Sequence, residues 1–164
     1  MSRFRADCSK CCGLCCVVPS FLTVQGFRED KRAETPCAHL VGGRCSIHAT
    51  RELQGYTACR GFDCFGVGQW ITQDLFNGAA WTDAPDLAQA MFAAYRFWLP
   101  RFEAAALLEA ALPYVRADAR CSVVERIKTL SSAMDGGIST DALQLRRATL
   151  ALIRSSLRAG KLPT

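Results

Sequence analysis

Clustered cysteines are the chemically most distinctive feature of this 164-residue chain. It has ten, nine of them within the first 64 residues and five within residues 8–16. That run contains two interleaved Cys-x-x-Cys units, Cys8/Cys11 and Cys12/Cys15. This spacing lets two thiolates of one tight turn reach the same ion or cluster. The run therefore predicts a metal-binding segment.

Four more cysteines follow in two pairs. Cys37 and Cys45 flank a stretch with a predicted turn at Gly42-Gly43, and Cys59 and Cys64 flank Arg-Gly-Phe-Asp. Thiolates select zinc, Cu(I) or an iron–sulfur cluster over magnesium or calcium, which prefer oxygen ligands. Nine thiols could fill two four-coordinate sites with one left over. The candidate metal ligands are Cys8, Cys11, Cys12, Cys15, Cys16, Cys37, Cys45, Cys59 and Cys64.

A disulfide framework and buried packing thiols are the alternatives to metal binding. Residues 1–7 contain no apolar run and no cleavage site, so they do not read as a secretory signal, and we expect a cytoplasmic protein. Thiols stay reduced there, and clustered cysteines are more often metal ligands or catalytic groups than bridges. Adjacent cysteines such as Cys11-Cys12 also cannot bridge each other without strain.

Other side chains could support the thiolates. His39 and His48 lie inside the cysteine region and could ligate metal or hydrogen-bond a thiolate, with His48 the better candidate. Lys10 and Arg60 could offset thiolate charge. Cys121 is far in sequence from the cluster and is predicted to be a packing thiol.

The elements around these residues are predicted to be mostly α, with an irregular cysteine-rich segment wrapped on a bundle of about four helices. We predict a cysteine-rich metal-binding module over residues 1–80 and a helical unit over residues 81–164 that packs on it. The predicted helices cover residues 83–99, 101–112, 114–134 and 141–159. Pro100 and Pro113 are expected to interrupt the helices, and Ser139 or Thr140 is expected to cap the last helix.

Charge and hydropathy argue against two classes of partner. The apolar stretch 91–115 is interrupted by charged residues and two prolines, so it predicts a buried helical hairpin with core aromatics and no membrane span. The net charge is +5, and five basic residues follow Asp141 with no acidic one. We read them as a solvated face. Nucleic-acid binding is not expected, because residues 1–80 carry nine Lys and Arg against seven Asp and Glu.

Four ordered cysteine blocks resemble a known family. They are CGLCC at residues 12–16, PCAHL at 36–40, CSIH at 45–48 and CRGFDC at 59–64. Together they resemble the CxxCxxCC (YkgJ-like) family of proposed zinc- or iron-chelating proteins. The stretch DCFGVGQ at 63–69 further resembles a cysteine-rich module that precedes pentapeptide repeats in some bacterial proteins. The resemblance implies a bacterial origin.

The chain departs from the family pattern at its first cysteine. That cysteine is expected at Ser9, whereas this chain has Cys8 and an added Cys11, so which of the two binds metal is open. The resemblance implies metal chelation through the cysteine blocks. The predicted function is a protein that holds zinc or an iron–sulfur cluster. There are two alternatives. One is a metal-dependent or redox enzyme with an iron–sulfur cluster, and the other is an adaptor with purely structural zinc that binds a protein partner.

Overall fold

The computed structural model describes residues 3–132 and 141–157. Helices dominate this part of the chain, beside one small two-stranded sheet, so the predicted mostly α fold is confirmed. The helices are α1 (Leu14–Val17), α2 (Thr57–Gly61), α3 (Val67–Trp70), α4 (Pro85–Ala111), α5 (Arg120–Leu130) and α6 (Ala142–Ser156), and the strands are β1 (Leu40–Val41) and β2 (Arg44–Cys45). Short 3₁₀ turns cover Cys8–Lys10, Thr23–Gln25 and Leu112–Tyr114, and a π-helical turn, Ile71–Leu75, continues α3.

The chain divides into two compact units, residues 1–96 and residues 97–164. Helix α4 contributes residues to both units. The predicted division into a metal-binding module and a helical unit at residue 80 stays a prediction, as does the packing of one on the other. No helix in the described ranges is both long enough and apolar enough to cross a bilayer.

A glycine turn shapes the first unit. Strands β1 and β2 are antiparallel, and the predicted turn at Gly42-Gly43 joins them, with φ of 55° and 77° that suit glycine. Gly13, with φ of 79°, precedes α1, and a Cβ there would lie 2.8 Å from the carbonyl oxygen of Gly43. The lack of a side chain at Gly13 therefore lets the hairpin approach the start of α1.

Helix α4 runs through Pro100, so the predicted break at that residue is wrong. A proline inside a helix removes one backbone hydrogen bond and crowds the preceding turn. Buried residues flank this position: Trp98 and Phe102 are 8% and 0% exposed. The guanidinium of Arg101 also donates to the carbonyl of Phe97 at 2.9 Å. We attribute the continuity of the helix to this burial and side-chain bonding.

The second unit ends in two shorter helices. Helix α5 begins at Arg120, six residues later than predicted, because the chain first makes a 3₁₀ turn containing Pro113. The side chain of Asp141 caps α6 by accepting from the backbone N–H groups of Leu143 and Gln144. The predicted caps at residues 139 and 140 lie outside the described residues. An isolated bridge between Val115 and Leu157 joins the segment before α5 to the end of α6.

Candidate metal centre

Eight of the nine predicted cysteine ligands line one cavity in the first unit. The cavity has a volume of about 280 Å³. Six of its cysteines come from the four sequence blocks, and two precede the first block. The eight are Cys8, Cys11, Cys15, Cys16, Cys37, Cys45, Cys59 and Cys64. The structure therefore brings together thiols that are up to 56 residues apart in the sequence, from Cys8 to Cys64.

Cys12 is the predicted ligand that lies outside this cavity. It is 8% exposed, and its Sγ lies 3.4 Å from the hydroxyl of Thr72. The indole N–H of Trp81 donates to the backbone carbonyl of Cys12 at 2.9 Å. Cys12 thus belongs to the interior of the unit. Cys8 and Cys11, between which the sequence left the choice open, both line the cavity.

The N-terminal segment, residues 5–11, is held along α3 and the π-helical turn by two glutamines. Gln69 accepts from the backbone N–H of Asp7 and donates to the carbonyl of Arg5 at 3.2 Å. Gln73 donates to the carbonyl of Lys10 at 2.9 Å. These bonds fix the backbone on both sides of Cys8.

Cys11 and Cys64 both meet the start of α3. A Cβ on Gly68 would lie 2.8 Å from the Sγ of Cys11, closer than real Cβ atoms approach. The carbonyl of Cys64 accepts from the N–H of Val67, the first residue of α3, at 2.9 Å. Gly68 therefore provides the space in which the Cys11 thiol sits.

Other cavity cysteines lie beside an aromatic cluster. Phe21, Phe27 and Tyr56 form a buried group, in which the rings of Phe21 and Phe27 stack with centroids 5.0 Å apart. Cys37 and Cys59 pack against this group. The surface against which these two cysteines pack is thus aromatic.

The backbone ties further thiols to this side of the cavity. The N–H of Cys37 donates to the carbonyl of Cys16 at 2.9 Å. Cys45 ends β2 and pairs with Leu40, whose N–H donates to the carbonyl of Cys37 at 2.9 Å. Cys16, Cys37 and Cys45 are therefore held by one short hydrogen-bonded network.

The electrostatics of the cavity reflect crowded, partly buried thiols. Burial raises the pKa of Cys11 to about 11. Burial, followed by the neighbouring thiolates of Cys16, Cys37 and Cys45, raises the pKa of Cys59 to about 11. Several thiolates in one apolar cavity require a compensating cation, and a bound metal deprotonates a coordinating thiol outright.

Lys31 supplies a buried positive charge beside the thiols, and the sequence analysis missed it. It lines the cavity and is 6% exposed. Its Nζ donates to the carbonyls of Val17, Pro19 and Arg32 at 2.8, 2.6 and 3.2 Å. Burial lowers its pKa, whereas thiolates led by Cys37 oppose that shift. The backbone of Lys31 pairs with that of Phe21 in an isolated bridge. This pairing cannot be predicted from the sequence, so no local pattern indicated that Lys31 is buried.

The two basic residues expected to offset thiolate charge are paired elsewhere. Lys10 lies 3.7 Å from a carboxylate oxygen of Asp7. Arg60 donates to both carboxylate oxygens of Glu52 at 2.5 and 2.6 Å. Lys31 is the buried basic residue among those that line the cavity, and Arg51 also lines it.

Two buried donors lack a partner among the described residues, and one of them belongs to a residue that lines the cavity. They are the Nε of Arg51, which lines the cavity, and the hydroxyl of Tyr95, which is 1% exposed. After burial, the thiolates of Cys15 and Cys64 contribute most to raising the pKa of Tyr95. Buried donors normally have an acceptor. The sulfur of a metal-bound thiolate or a sulfide in the cavity would supply one for Arg51, so this residue fits a metal centre.

The two histidines have different surroundings. His39 Nε2 lies 3.1 Å from the hydroxyl of Tyr56, and the two rings pack edge to face. His48 lines the cavity, and its carbonyl accepts from Arg51 at 2.9 Å. Only His48 of the two lines the cavity, and its rank as the better candidate ligand stays a prediction.

The thiols surround the cavity without converging on a single point. Within residues 3–132 and 141–157, no group of three His, Cys, Asp or Glu side chains is arranged to hold one metal ion. All ten cysteines are free thiols. Cys121 is exposed in α5, so its prediction as a packing thiol is wrong. The buried positions of α5 are Val123 and Leu130, and Cys121 is not on that face.

Comparison with known proteins gives one informative similarity. The chain is 39% identical over 88 residues to the uncharacterized protein YybG of Bacillus subtilis. It is similar to a bacterial protein. The matched region is 53% of this chain and 32% of YybG, so the match covers about a third of that protein's length. No protein-family model and no solved structure matches the chain, and the resemblance to the CxxCxxCC family therefore stays a prediction.

Proposed function

We propose that this chain is a metal-binding protein whose cavity thiolates hold zinc or an iron–sulfur cluster. The observation that carries the proposal is that eight cysteines, six of them from the four sequence blocks, line one cavity. Packing alone does not require cysteine at eight positions around a space. A thiolate-rich site is suited to soft metals.

The surroundings of the thiols support the same proposal. Lys31 brings a fixed positive charge to a site that becomes strongly negative when its thiols ionise. Arg51 and Tyr95 bring donors that lack an acceptor within the described residues. Hydrogen bonds to ligating sulfur tune the potential of iron–sulfur centres and orient the ligands of zinc sites.

The two metals imply different functions for the same residues. Zinc held by thiolates alone is redox-silent, and its binding free energy contributes to folding. That outcome favours the adaptor with structural zinc, which would act through a protein partner. An iron–sulfur cluster carries electrons, and that outcome favours the redox or metal-dependent enzyme. In both cases we propose a cytoplasmic location, where thiols remain reduced.

The test is elemental analysis and a visible absorption spectrum of protein purified without oxygen. Iron with acid-labile sulfide and a brown colour identifies an iron–sulfur protein, whereas colourless protein that contains zinc identifies a zinc protein. Cys15→Ser and Cys37→Ser are expected to lose metal. Cys121→Ser is the matched control, because Cys121 is exposed and far from the cavity in sequence. Equal metal content in all three variants, or metal-free wild-type protein after anaerobic reconstitution, would overturn the proposal.

A further inference from the structure

We propose that the eight cavity thiols form two separate four-cysteine centres. The first centre comprises Cys8, Cys11, Cys15 and Cys64, and the second comprises Cys16, Cys37, Cys45 and Cys59. This inference rests on the proposed metal binding and specifies its stoichiometry and its ligands.

The number of thiols is the first argument. Closed zinc sites take four protein ligands, and [2Fe–2S] and [4Fe–4S] clusters are each held by four cysteines. Eight cavity cysteines therefore match two complete centres for either metal. A single centre would leave four thiols without a role in a cavity where Cys12 has already been excluded by its packing against Thr72.

The first centre is defined by its attachment to α3. Cys8 lies in the segment that Gln69 and Gln73 hold along α3 and the π-helical turn. The Cys11 thiol sits against Gly68, and the carbonyl of Cys64 accepts from the N–H of Val67, the first residue of the helix. Three of its ligands thus share one rigid support that includes none of the second group.

The second centre is defined by the aromatic cluster and the hairpin. Cys37 and Cys59 pack against the group of Phe21, Phe27 and Tyr56. The N–H of Cys37 donates to the carbonyl of Cys16, and the β1–β2 hairpin that follows Cys37 carries Cys45. These four thiols therefore have a support of their own.

The division falls between Cys15 and Cys16, whose Sγ atoms are 4.0 Å apart. Consecutive residues of a helix do not share a face, so two adjacent ligands can serve different centres. Cys16 is tied by its carbonyl to Cys37. Cys15 is the remaining cavity thiol, and it completes the first centre. The two centres are thus close neighbours that meet at α1.

The test measures metal content after each group is disabled. Cys11→Ser/Cys64→Ser and Cys37→Ser/Cys59→Ser should each retain about half of the wild-type metal, because each removes one four-ligand centre. Cys12→Ser and Cys121→Ser should retain the full content. Loss of all metal in either double variant that keeps the wild-type circular dichroism would show one composite centre and overturn this inference, while metal binding itself would stand.

A measurement on unmodified protein covers the case in which a double variant fails to fold. After replacement of the bound metal by ¹¹³Cd, two centres predict two classes of thiolate-bound cadmium resonance with equal total intensity. A single resonance that accounts for all bound cadmium would overturn the inference. If wild-type protein binds neither its own metal nor cadmium, the proposed function fails as well, so the two failures are distinguishable.

Discussion

The Sγ atoms of Cys15 and Cys16 lie 4.0 Å apart, and the contact makes these neighbouring thiols chemically different. A hydrogen bond from Cys15 is the main cause that lowers the pKa of Cys16 to about 7, although burial opposes it. The same bond, followed by burial, raises the pKa of Cys15 well above its ordinary value. As the pH rises above about 7, Cys16 in the metal-free protein is therefore expected to ionise while Cys15 keeps its proton.

This asymmetry predicts selective alkylation of Cys16. In metal-free protein the rate of iodoacetamide labelling at Cys16 should be half-maximal near pH 7, since the thiolate is the nucleophile. Cys59, whose pKa is about 11, should label slowly at that pH. Tandem mass spectrometry of the proteolytic peptides locates the label. Equal labelling of Cys15 and Cys16 at pH 7 would contradict the assignment.

Lys31 is expected to support the Cys16 thiolate, because it is the principal positive charge that lowers the pKa of Cys16. Lys31→Met should move the labelling midpoint of Cys16 above pH 7. It should also reduce the free energy of unfolding by about 1–3 kcal/mol, because buried carbonyls lose their donor. Denaturant unfolding of the metal-free protein measures the second effect.

Lys10→Met is the control for the Lys31 variant. Lys10 lies in an exposed pair with Asp7, and such pairs contribute little to stability. A labelling midpoint of Cys16 that is the same in both variants would show that Lys31 does not act on the thiolate.

Gly68 is expected to be essential to the proposed first centre, which is attached to α3. The Cβ of Gly68→Ala would lie 2.8 Å from the Cys11 Sγ, so the thiol must move. We expect Gly68→Ala to lower metal content toward half of the wild-type value, because only the first centre loses its metal and the second centre is unaffected. Gly61→Ala is the matched control, since no atom lies within 4 Å of its Cβ. Elemental analysis distinguishes the two, and full metal content in Gly68→Ala would contradict the prediction.

The sequence identifies most of the cysteines that line the cavity, but not their exact set. Cysteine spacing identifies four blocks, and all four contribute to the cavity. Spacing cannot separate Cys11 from Cys12, because each begins or ends a Cys-x-x-Cys unit. The choice depends on long-range packing: Cys11 meets Gly68, and Cys12 meets Thr72. Such contacts join residues about 60 positions apart and leave no local pattern.

The remaining errors also have long-range causes. Pro100 normally ends a helix, but burial of Trp98 and Phe102 accompanies its continuation. Lysine is rarely buried unless it is paired, so the sequence does not predict that Lys31 is buried beside the thiols. Its place depends on three backbone carbonyls that meet only in the folded chain.

Tyr95 gives a prediction whose sign depends on metal. Its hydroxyl is 1% exposed and lacks a partner among the described residues. In the metal-free protein, Tyr95→Phe removes an unsatisfied buried group, so the free energy of unfolding should rise or stay the same. We propose that in the metal-loaded protein the hydroxyl donates to ligating sulfur, since the Cys15 and Cys64 thiolates act on Tyr95. Tyr95→Phe should then reduce the free energy of unfolding by about 1 kcal/mol.

Denaturant unfolding of both forms measures this difference. Tyr114→Phe is the matched control, because Tyr114 is 38% exposed and lies in the second unit. It should change the two forms equally. If Tyr95→Phe also changed both forms equally, the hydroxyl would have no bond to the bound centre. A reversal of sign would instead show that metal supplies the acceptor that this buried donor lacks.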